Sequence, residues 1–263
     1  VVVSFDMNIC EIHCLDVLEG LASLADESVD LTITSPPYNI GKEYEQALPL
    51  NEYLVWCEKW LAEIYRVTKP AGAFWLNLGY LAVENKGRAV PISYLLWDKS
   101  PFYLWQEVVW QYGAGVHSKK AFSPRNEKWL WYVKNPQSYT FNLDAVRDPD
   151  VKYPLQKKNG KLKCNPLGKN PGDVWSIPKV TSGTGRASKE RTSHPAQFPL
   201  AVIERIILAC SRPDSLILDP FAGSGSTLVA ANKLGRRSLG FEIRPDYVEL
   251  GLERLKAQSS LVS

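Results

Sequence analysis

Short runs of β-branched and apolar residues alternate with longer amphipathic ones along most of this chain, and that alternation constrains its fold more than any other feature. Leu31-Thr32-Ile33-Thr34 is a β-branched run that ends in Ser35-Pro36-Pro37, which neither strand nor helix can continue. The spacing then predicts a helix capped by Asn51, with Leu54, Trp56, Leu61, Ile64 and Val67 largely on one face. Lys69-Pro70-Ala71-Gly72 stops it, and Ala73-Phe74-Trp75-Leu76 reads as the next strand. A helix near Pro91 to Asp98 follows, then strand-like runs at 107–110 and 129–133. The pattern resumes with a helix from about Leu200 to Cys210, a strand at 215–218 and a glycine-rich turn. A helix from Thr227 to Leu234, a strand from Ser238 to Phe241 and a terminal helix after Pro245 complete it. Strands alternating with helices predict an α/β fold, a mostly parallel sheet covered on both faces.

With 263 residues, 45% of them hydrophobic and 22% charged, the chain is too apolar to stay disordered and long enough for one sizeable core with a small insert. Its apolar runs fall far short of the roughly 18 residues that span a bilayer, and no basic-then-apolar leader opens it. A soluble, cytoplasmic protein with no membrane partner is expected. Val1 in place of Met suggests that a residue or more precedes it. Cys10, Cys14, Cys57, Cys164 and Cys210 are odd in number and form no CxxC pair, which argues against a disulfide framework or a zinc site. Most of the nine tryptophans are expected in the core.

The net charge of +3 hides an asymmetry. Between Arg147 and Arg191 eleven Lys or Arg face four acids, a net of +7, which leaves −4 for the rest of the chain. The stretch is rich in Gly, Pro, Asn and Ser. Composition alone leaves two readings open: a solvated surface loop, or a basic arm that neutralises phosphates.

Two loops carry chemistry. Asp219-Pro220-Phe221-Ala222-Gly223-Ser224-Gly225-Ser226-Thr227 joins a strand to a helix, where glycines allow close backbone approach and the helix start offers free N–H groups. Leu228 stands where a dinucleotide fingerprint has its third glycine, and no GK[ST] follows, so a nucleoside ligand without pyrophosphate fits better. Glu242 ends the next strand, where an acid can accept both ribose hydroxyls. In Thr34-Ser35-Pro36-Pro37-Tyr38-Asn39 the two prolines remove N–H donors and leave carbonyl acceptors. Ser35 adds a hydroxyl and Tyr38 a flat face, a combination suited to an exocyclic amine on a planar base. A rigid loop and a strand-to-helix turn with a surface Glu are the bland alternatives.

Together these motifs resemble the S-adenosylmethionine-dependent DNA amino-methyltransferases. Catalytic motif first, basic region in the middle and cofactor motif last is similar to the circularly permuted β group of that family. The resemblance implies a Rossmann-like methyltransferase fold with a mostly parallel seven-stranded sheet and a small irregular target-recognition insert. It divides the chain into a catalytic half at 1–139, a basic target-recognition region at 140–191 and a cofactor-binding half at 192–263. It implies catalytic roles for Ser35, Pro36, Pro37 and Tyr38. S-adenosylmethionine would be held by Asp16, Val17, Thr34, His194, Pro195, Glu242 and the run from Asp219 to Thr227 (Pro220, Phe221, Ala222, Gly223, Ser224, Gly225, Ser226). Lys157, Lys158, Lys161, Lys163, Lys169, Arg186, Lys189 and Arg191 would contact double-stranded DNA. Arg66-Val67-Thr68-Lys69-Pro70-Ala71-Gly72 is similar to the family's helix-to-strand turn after the catalytic loop.

Two positions bear on the base. Ser35 stands where adenine-N6 members usually carry Asp, and Phe198 in His194-Pro195-Ala196-Gln197-Phe198-Pro199 where many carry Lys. Both resemble the cytosine-N4 branch. A cytosine-C5 enzyme would need a Pro-Cys nucleophile, and no cysteine here follows a proline. The expected reaction is methyl transfer to the N4 amine of a flipped cytosine, as the modification part of a restriction-modification system; whether a cognate restriction endonuclease is its partner is left open by the sequence. Ser35 and the Pro36 carbonyl would accept from the amine and Tyr38 would stack on the base, with no strong base in view for the departing proton. Arg125-Asn126-Glu127 precedes an aromatic strand and is a candidate to shape the base pocket. His117 reads as incidental. Rival readings are an adenine-N6 enzyme, an RNA or protein N-methyltransferase, and a DNA-binding module that has lost catalysis. Monomer and homodimer are both open.

Overall fold

Eight strands form one sheet in the computed structural model, which describes residues 10–43, 45–113, 115, 117–181 and 188–259. In chain order they are β1 (Cys10–Cys14), β2 (Val29–Thr34), β3 (Thr68–Leu78), β6 (Tyr103–Gln111), β7 (Asn126–Val133), β10 (Val174–Ser176), β11 (Leu216–Asp219) and β12 (Arg237–Glu242). Across the sheet the order is β1-β12-β11-β2-β3-β7-β6-β10. Neighbours run parallel from β1 to β3 and again between β6 and β10, while β7 is antiparallel to both β3 and β6. Strands from the end of the chain, β11 and β12, thus lie between β1 and β2 from its beginning. Two small ribbons stand apart: β4 (Tyr80–Val83) with β5 (Gly87–Pro91), and β8 (Lys157–Lys158) with β9 (Lys161–Leu162).

Alternation along the strands fills both faces. In β3, Phe74, Leu76 and Leu78 join one core, and Ala73 and Trp75 the other. The first core is covered by α1 (Val17–Ala22) and α2 (Leu50–Val67), the second by α4 (Leu200–Cys210) and α5 (Ser226–Lys233). In α2 the residues Tyr53, Cys57, Trp60, Leu61, Ile64 and Val67 recur at helical spacing and are all buried. Val202, Ile203, Ile206 and Ile207 of α4 are fully buried, each stabilising the fold by roughly 1.5–3 kcal/mol, so α4 is fastened to the sheet by packing. The last helix, α6 (Pro245–Ser259), packs on β1 and α5. Among the described residues no helix is long and apolar enough to cross a membrane.

The sheet corrects several sequence-based expectations. It has eight strands, not seven, because Val174-Trp175-Ser176, read as part of a basic loop, pairs with β6 and buries Trp175 against Trp75 at a ring separation of 5.7 Å. Helix α2 starts at Leu50 after Pro49, one residue before the expected Asn51 cap, and the Tyr53 N–H closes its first turn on the Pro49 carbonyl. The helix expected near 91–98 shrinks to α3 (Ile92–Leu95), with Pro91 ending a strand instead. Six of the nine tryptophans are buried, while Trp97 and Trp105 are exposed.

Candidate active site

The strand order switches direction between β2 and β11, and loops leaving the carboxyl ends of parallel neighbours at such a point line a crevice. Here those loops are Ser35-Pro36-Pro37-Tyr38 after β2 and Pro220-Phe221-Ala222-Gly223 after β11. A buried bond ties the two strand ends together, the Thr34 hydroxyl donating to Asp219 Oδ1 at 2.6 Å. The resulting cavity, of about 1130 Å³, is lined from both halves of the chain, by Ser35 to Tyr38 at one end and by Phe221 to Ser224 and Glu242 at the other.

Hydroxyl polarity in the proline loop follows from its neighbours. The Asn77 Nδ2 donates to the Lys128 carbonyl at 3.0 Å, which turns Asn77 Oδ1 toward Tyr38 as an acceptor. Tyr38 spends its one proton on that oxygen, so in the 3.0 Å contact between Ser35 Oγ and Tyr38 the serine must donate. Both lone pairs of Ser35 are thereby directed to accept. The Tyr53 hydroxyl donates to the Pro37 carbonyl at 2.8 Å and pins the second proline. Beyond it Glu45 accepts from the N–H groups of Asn39, Ile40 and Lys42, which holds the turn at Asn39 in the left-handed region. The Tyr38 ring lies close over Gly79, where a Cβ would come within 2.6 Å of it.

At the other end Glu242 accepts from the Gly223 and Arg244 N–H groups, each at 2.9 Å, and burial raises its pKa against those donors. Phe221 stands edge-on to Trp56 and Trp60, with ring centroids 5.7 and 5.6 Å away. Gly223 has φ +50 and passes so near His194 that a Cβ would lie 2.9 Å from its Nε2. Burial first, then Arg191, Arg254 and Arg244, push the His194 pKa down to about 4, so the ring is neutral near pH 7. Asp219 is buried and its pKa is pushed up to about 6 by that burial. Asp16 spends one oxygen on the Leu18 N–H as the cap of α1, and both Asp16 and Val17 line the cavity. Pro195, Pro220, Ala222, Ser224, Ser226 and Thr227 line it too, whereas Thr34 and Gly225 are not among the lining residues.

The basic residues divide. Lys157, Lys158, Lys161 and Lys163 are exposed on or beside the β8–β9 ribbon, and Lys189 is exposed. Lys169 is paired with Asp148 at 3.1 Å. Arg191 lines the cavity beside His194, and Arg186 lies outside the described residues. The cavity also contains residues that motif reading missed or only touched: Asn77, Trp110, Lys179, Tyr247 and Glu127. Asn77 was detectable as a polar interruption in an apolar strand. Arg254 of α6 was not, yet it donates to the Ser224 carbonyl and to the hydroxyls of Ser224 and Ser226, clamping the glycine turn from behind.

Residues 29–253 match a family described as DNA methylase, whose members act on N6 or N4 amines. The chain belongs to this DNA methylase family. It is 65% identical over 244 residues to the type II methyltransferase M.ScaI of Streptomyces caespitosus, covering 93% of this chain and 80% of that protein. To the DNA adenine methyltransferase YhdJ of Escherichia coli (strain K12) it is 35% identical, covering 93% and 82%. Among solved structures the PvuII DNA methyltransferase (cytosine-N4-specific) superposes with a TM-score of 0.72 at 21% identity over 95% of this chain and 90% of that one. M1.HpyAVI, solved as a SAM complex, gives 0.62 at 22% identity over 93% and 98%. The fold is therefore that of a Rossmann-like methyltransferase, and the methylase likeness runs through nearly the whole chain.

Proposed function

We propose that this methylase transfers a methyl group from S-adenosylmethionine to the exocyclic N4 amine of a cytosine flipped out of double-stranded DNA. The observation that carries the reading is that an acceptor-only Ser35-Pro36 edge and the Gly223 and Glu242 end share one cavity. The donor set fits the cofactor: Glu242 suits ribose hydroxyls, the edge of Phe221 an adenine plane, and the turn at Gly223 and Ser224 with His194 and Pro195 the amino-acid end. Gly223 supports this, since any side chain there would fill the cradle against His194. When bound, the cofactor supplies an electrophilic methyl group.

The chain's own task is to aim and activate a poor nucleophile, because the amine lone pair is delocalised into the base. Ser35 Oγ and the Pro36 carbonyl accept the two N–H bonds, which favours a pyramidal nitrogen and frees the lone pair. Tyr38 offers one ring face to the base, with its other side against Gly79. Trp110 and Phe198, 6.0 Å apart, line the same cavity as an apolar wall. Flipping costs a few kcal/mol. The basic residues of 140–191 offset part of that by holding phosphates, between a catalytic half at 1–139 and a cofactor half at 192–263. Likeness to type II methyltransferases supports a role in restriction-modification beside an endonuclease, in the cytoplasm.

Adenine-N6 transfer is the second reading, favoured by the likeness to YhdJ. Methylation of unmodified genomic DNA, followed by digestion to nucleosides and mass spectrometry, separates the two. N4-methylcytosine is expected; N6-methyladenine would overturn the reading of Ser35 and Phe198.

A further inference from the structure

Among the described residues five carboxylates line the cavity, and four are engaged by backbone N–H groups. Asp16 holds Leu18, Glu45 holds Asn39, Ile40 and Lys42, Asp219 holds Phe221, and Glu242 holds Gly223 and Arg244. Glu127 differs, because its partners are side chains: the Tyr112 hydroxyl donates to it at 3.3 Å and the Asn77 amide reaches it from β3. A carboxylate fixed by backbone donors shapes a turn, whereas one held by a phenol and an amide at a cavity wall can exchange a proton with a ligand. Its position is set by the sheet. Glu127 sits opposite Trp110 on β6 and beside Lys128, whose carbonyl orients the same Asn77 that accepts from Tyr38. One set of contacts therefore links Ser35, Tyr38, Asn77 and Glu127 around the end of the cavity assigned to the base.

We propose that Glu127 is the proton acceptor of the methyl transfer. This rests on the methyltransferase reading of the cavity. As the N–C bond forms and the sulfonium S–C bond breaks, the positive charge passes to the base amine. One N–H proton then moves to the Glu127 carboxylate, directly or through one water, leaving a neutral methylated base and a neutral acid that releases its proton to solvent. Before that transfer, the ionised carboxylate also stabilises the charge developing on the base.

A pH signature follows. Burial raises the Glu127 pKa above the ordinary carboxylate range, opposed by Tyr112, Lys179 and Asn77. Tyr112 and Lys179 face it from beyond β6 and β10, Asn77 and Tyr80 from β3 and β4, and Lys128 and Arg125 flank it on its own segment. Only the ionised form accepts, so the rate rises with pH through that raised value. The experiment is single-turnover methylation of unmodified DNA with labelled S-adenosylmethionine across the acid range, for wild type, Glu127→Gln and Glu127→Asp. Glu127→Gln should slow transfer about 10²-fold and erase the acid limb, with cofactor affinity by calorimetry unchanged. Glu127→Asp should retain the limb at reduced rate. A Glu127→Gln enzyme within threefold of wild type, or a slow one that keeps the limb, overturns the assignment. Wild type that binds cofactor but methylates no nucleoside would instead overturn the reading of the cavity itself.

Discussion

At the scale of single residues, the proposed function assigns catalysis to the proline loop and cofactor binding to Glu242, at opposite ends of one cavity. Ser35 contributes an oriented lone pair: its proton is committed to Tyr38, whose own proton is committed to Asn77. Removing that oxygen leaves the amine one acceptor short in the transition state, where pyramidalisation is needed, and leaves the far end of the cavity intact. Ser35→Ala should therefore lower the single-turnover rate by about 10²-fold, the scale of one well-placed transition-state hydrogen bond, with S-adenosylmethionine affinity within twofold. Glu242→Gln should do the reverse, because its carboxylate is shared between Gly223, Arg244 and the ligand end of the cavity. A loss of at least tenfold in cofactor affinity is expected, with little change in rate at saturation. Equal losses in rate and affinity for both variants would contradict this division.

At the scale of elements, the turn between β11 and α5 shows two glycines doing different work. Gly223 and Gly225 both have positive φ, +50 and +72, so a side chain at either costs about 1–2 kcal/mol of backbone strain. Gly223 faces the cavity and His194, while Gly225 faces α6, where a Cβ would lie 3.2 Å from Gly251 Cα. Gly225→Ala should lower thermal stability and leave cofactor affinity nearly unchanged. Gly223→Ala should lose affinity as well, since it displaces His194. Calorimetric titration beside thermal melts checks both, and an unchanged affinity in Gly223→Ala would remove this turn from the cofactor site. The turn was legible in sequence because Gly, Ser and Pro between an apolar run and a helix have few other uses. Much else in the α/β alternation was legible for the same reason, from α2 through α4 to β12. Several elements were not, among them β1, which shows only Ile12 inward and reads as polar, and β10, three residues inside a basic segment, while α3 was expected but is a single turn. Asn77 shows in the sequence only as a polar interruption of an apolar strand, and Glu127 only within Arg125-Asn126-Glu127 as a candidate to shape the base pocket; neither signal places the two side by side. Only the antiparallel pairing of β3 with β7 brings them to one wall.

At the scale of the whole molecule, the question is where the positive charge acts. The segment from Arg147 to Arg191 carries a net +7 on a chain of total +3, but the structure distributes it unevenly. Lys157, Lys158 and Lys161 sit on an exposed two-stranded ribbon with Lys163 beside it, Lys169 is paired with Asp148, and Arg191 lines the cavity. Under the proposed function these groups make different thermodynamic contributions. A lysine that neutralises a DNA phosphate releases condensed counterions, and each such contact contributes about −0.9 to the slope of log affinity against log salt. Replacing the four ribbon lysines with alanine should weaken DNA binding and make that slope shallower by about 3 to 4, with cofactor affinity untouched. Lys169→Ala should move the slope by less, because its partner already meets part of its charge. Arg191→Ala should leave the slope nearly unchanged and shift cofactor affinity, since its field acts on His194 at the cavity wall. Fluorescence anisotropy of labelled duplex DNA over a salt series, with cofactor titrations alongside, measures both quantities. A slope unaltered by loss of the four lysines would mean that the ribbon is a solvated loop, and would move the DNA surface to the cavity, where Lys179 and Arg191 remain.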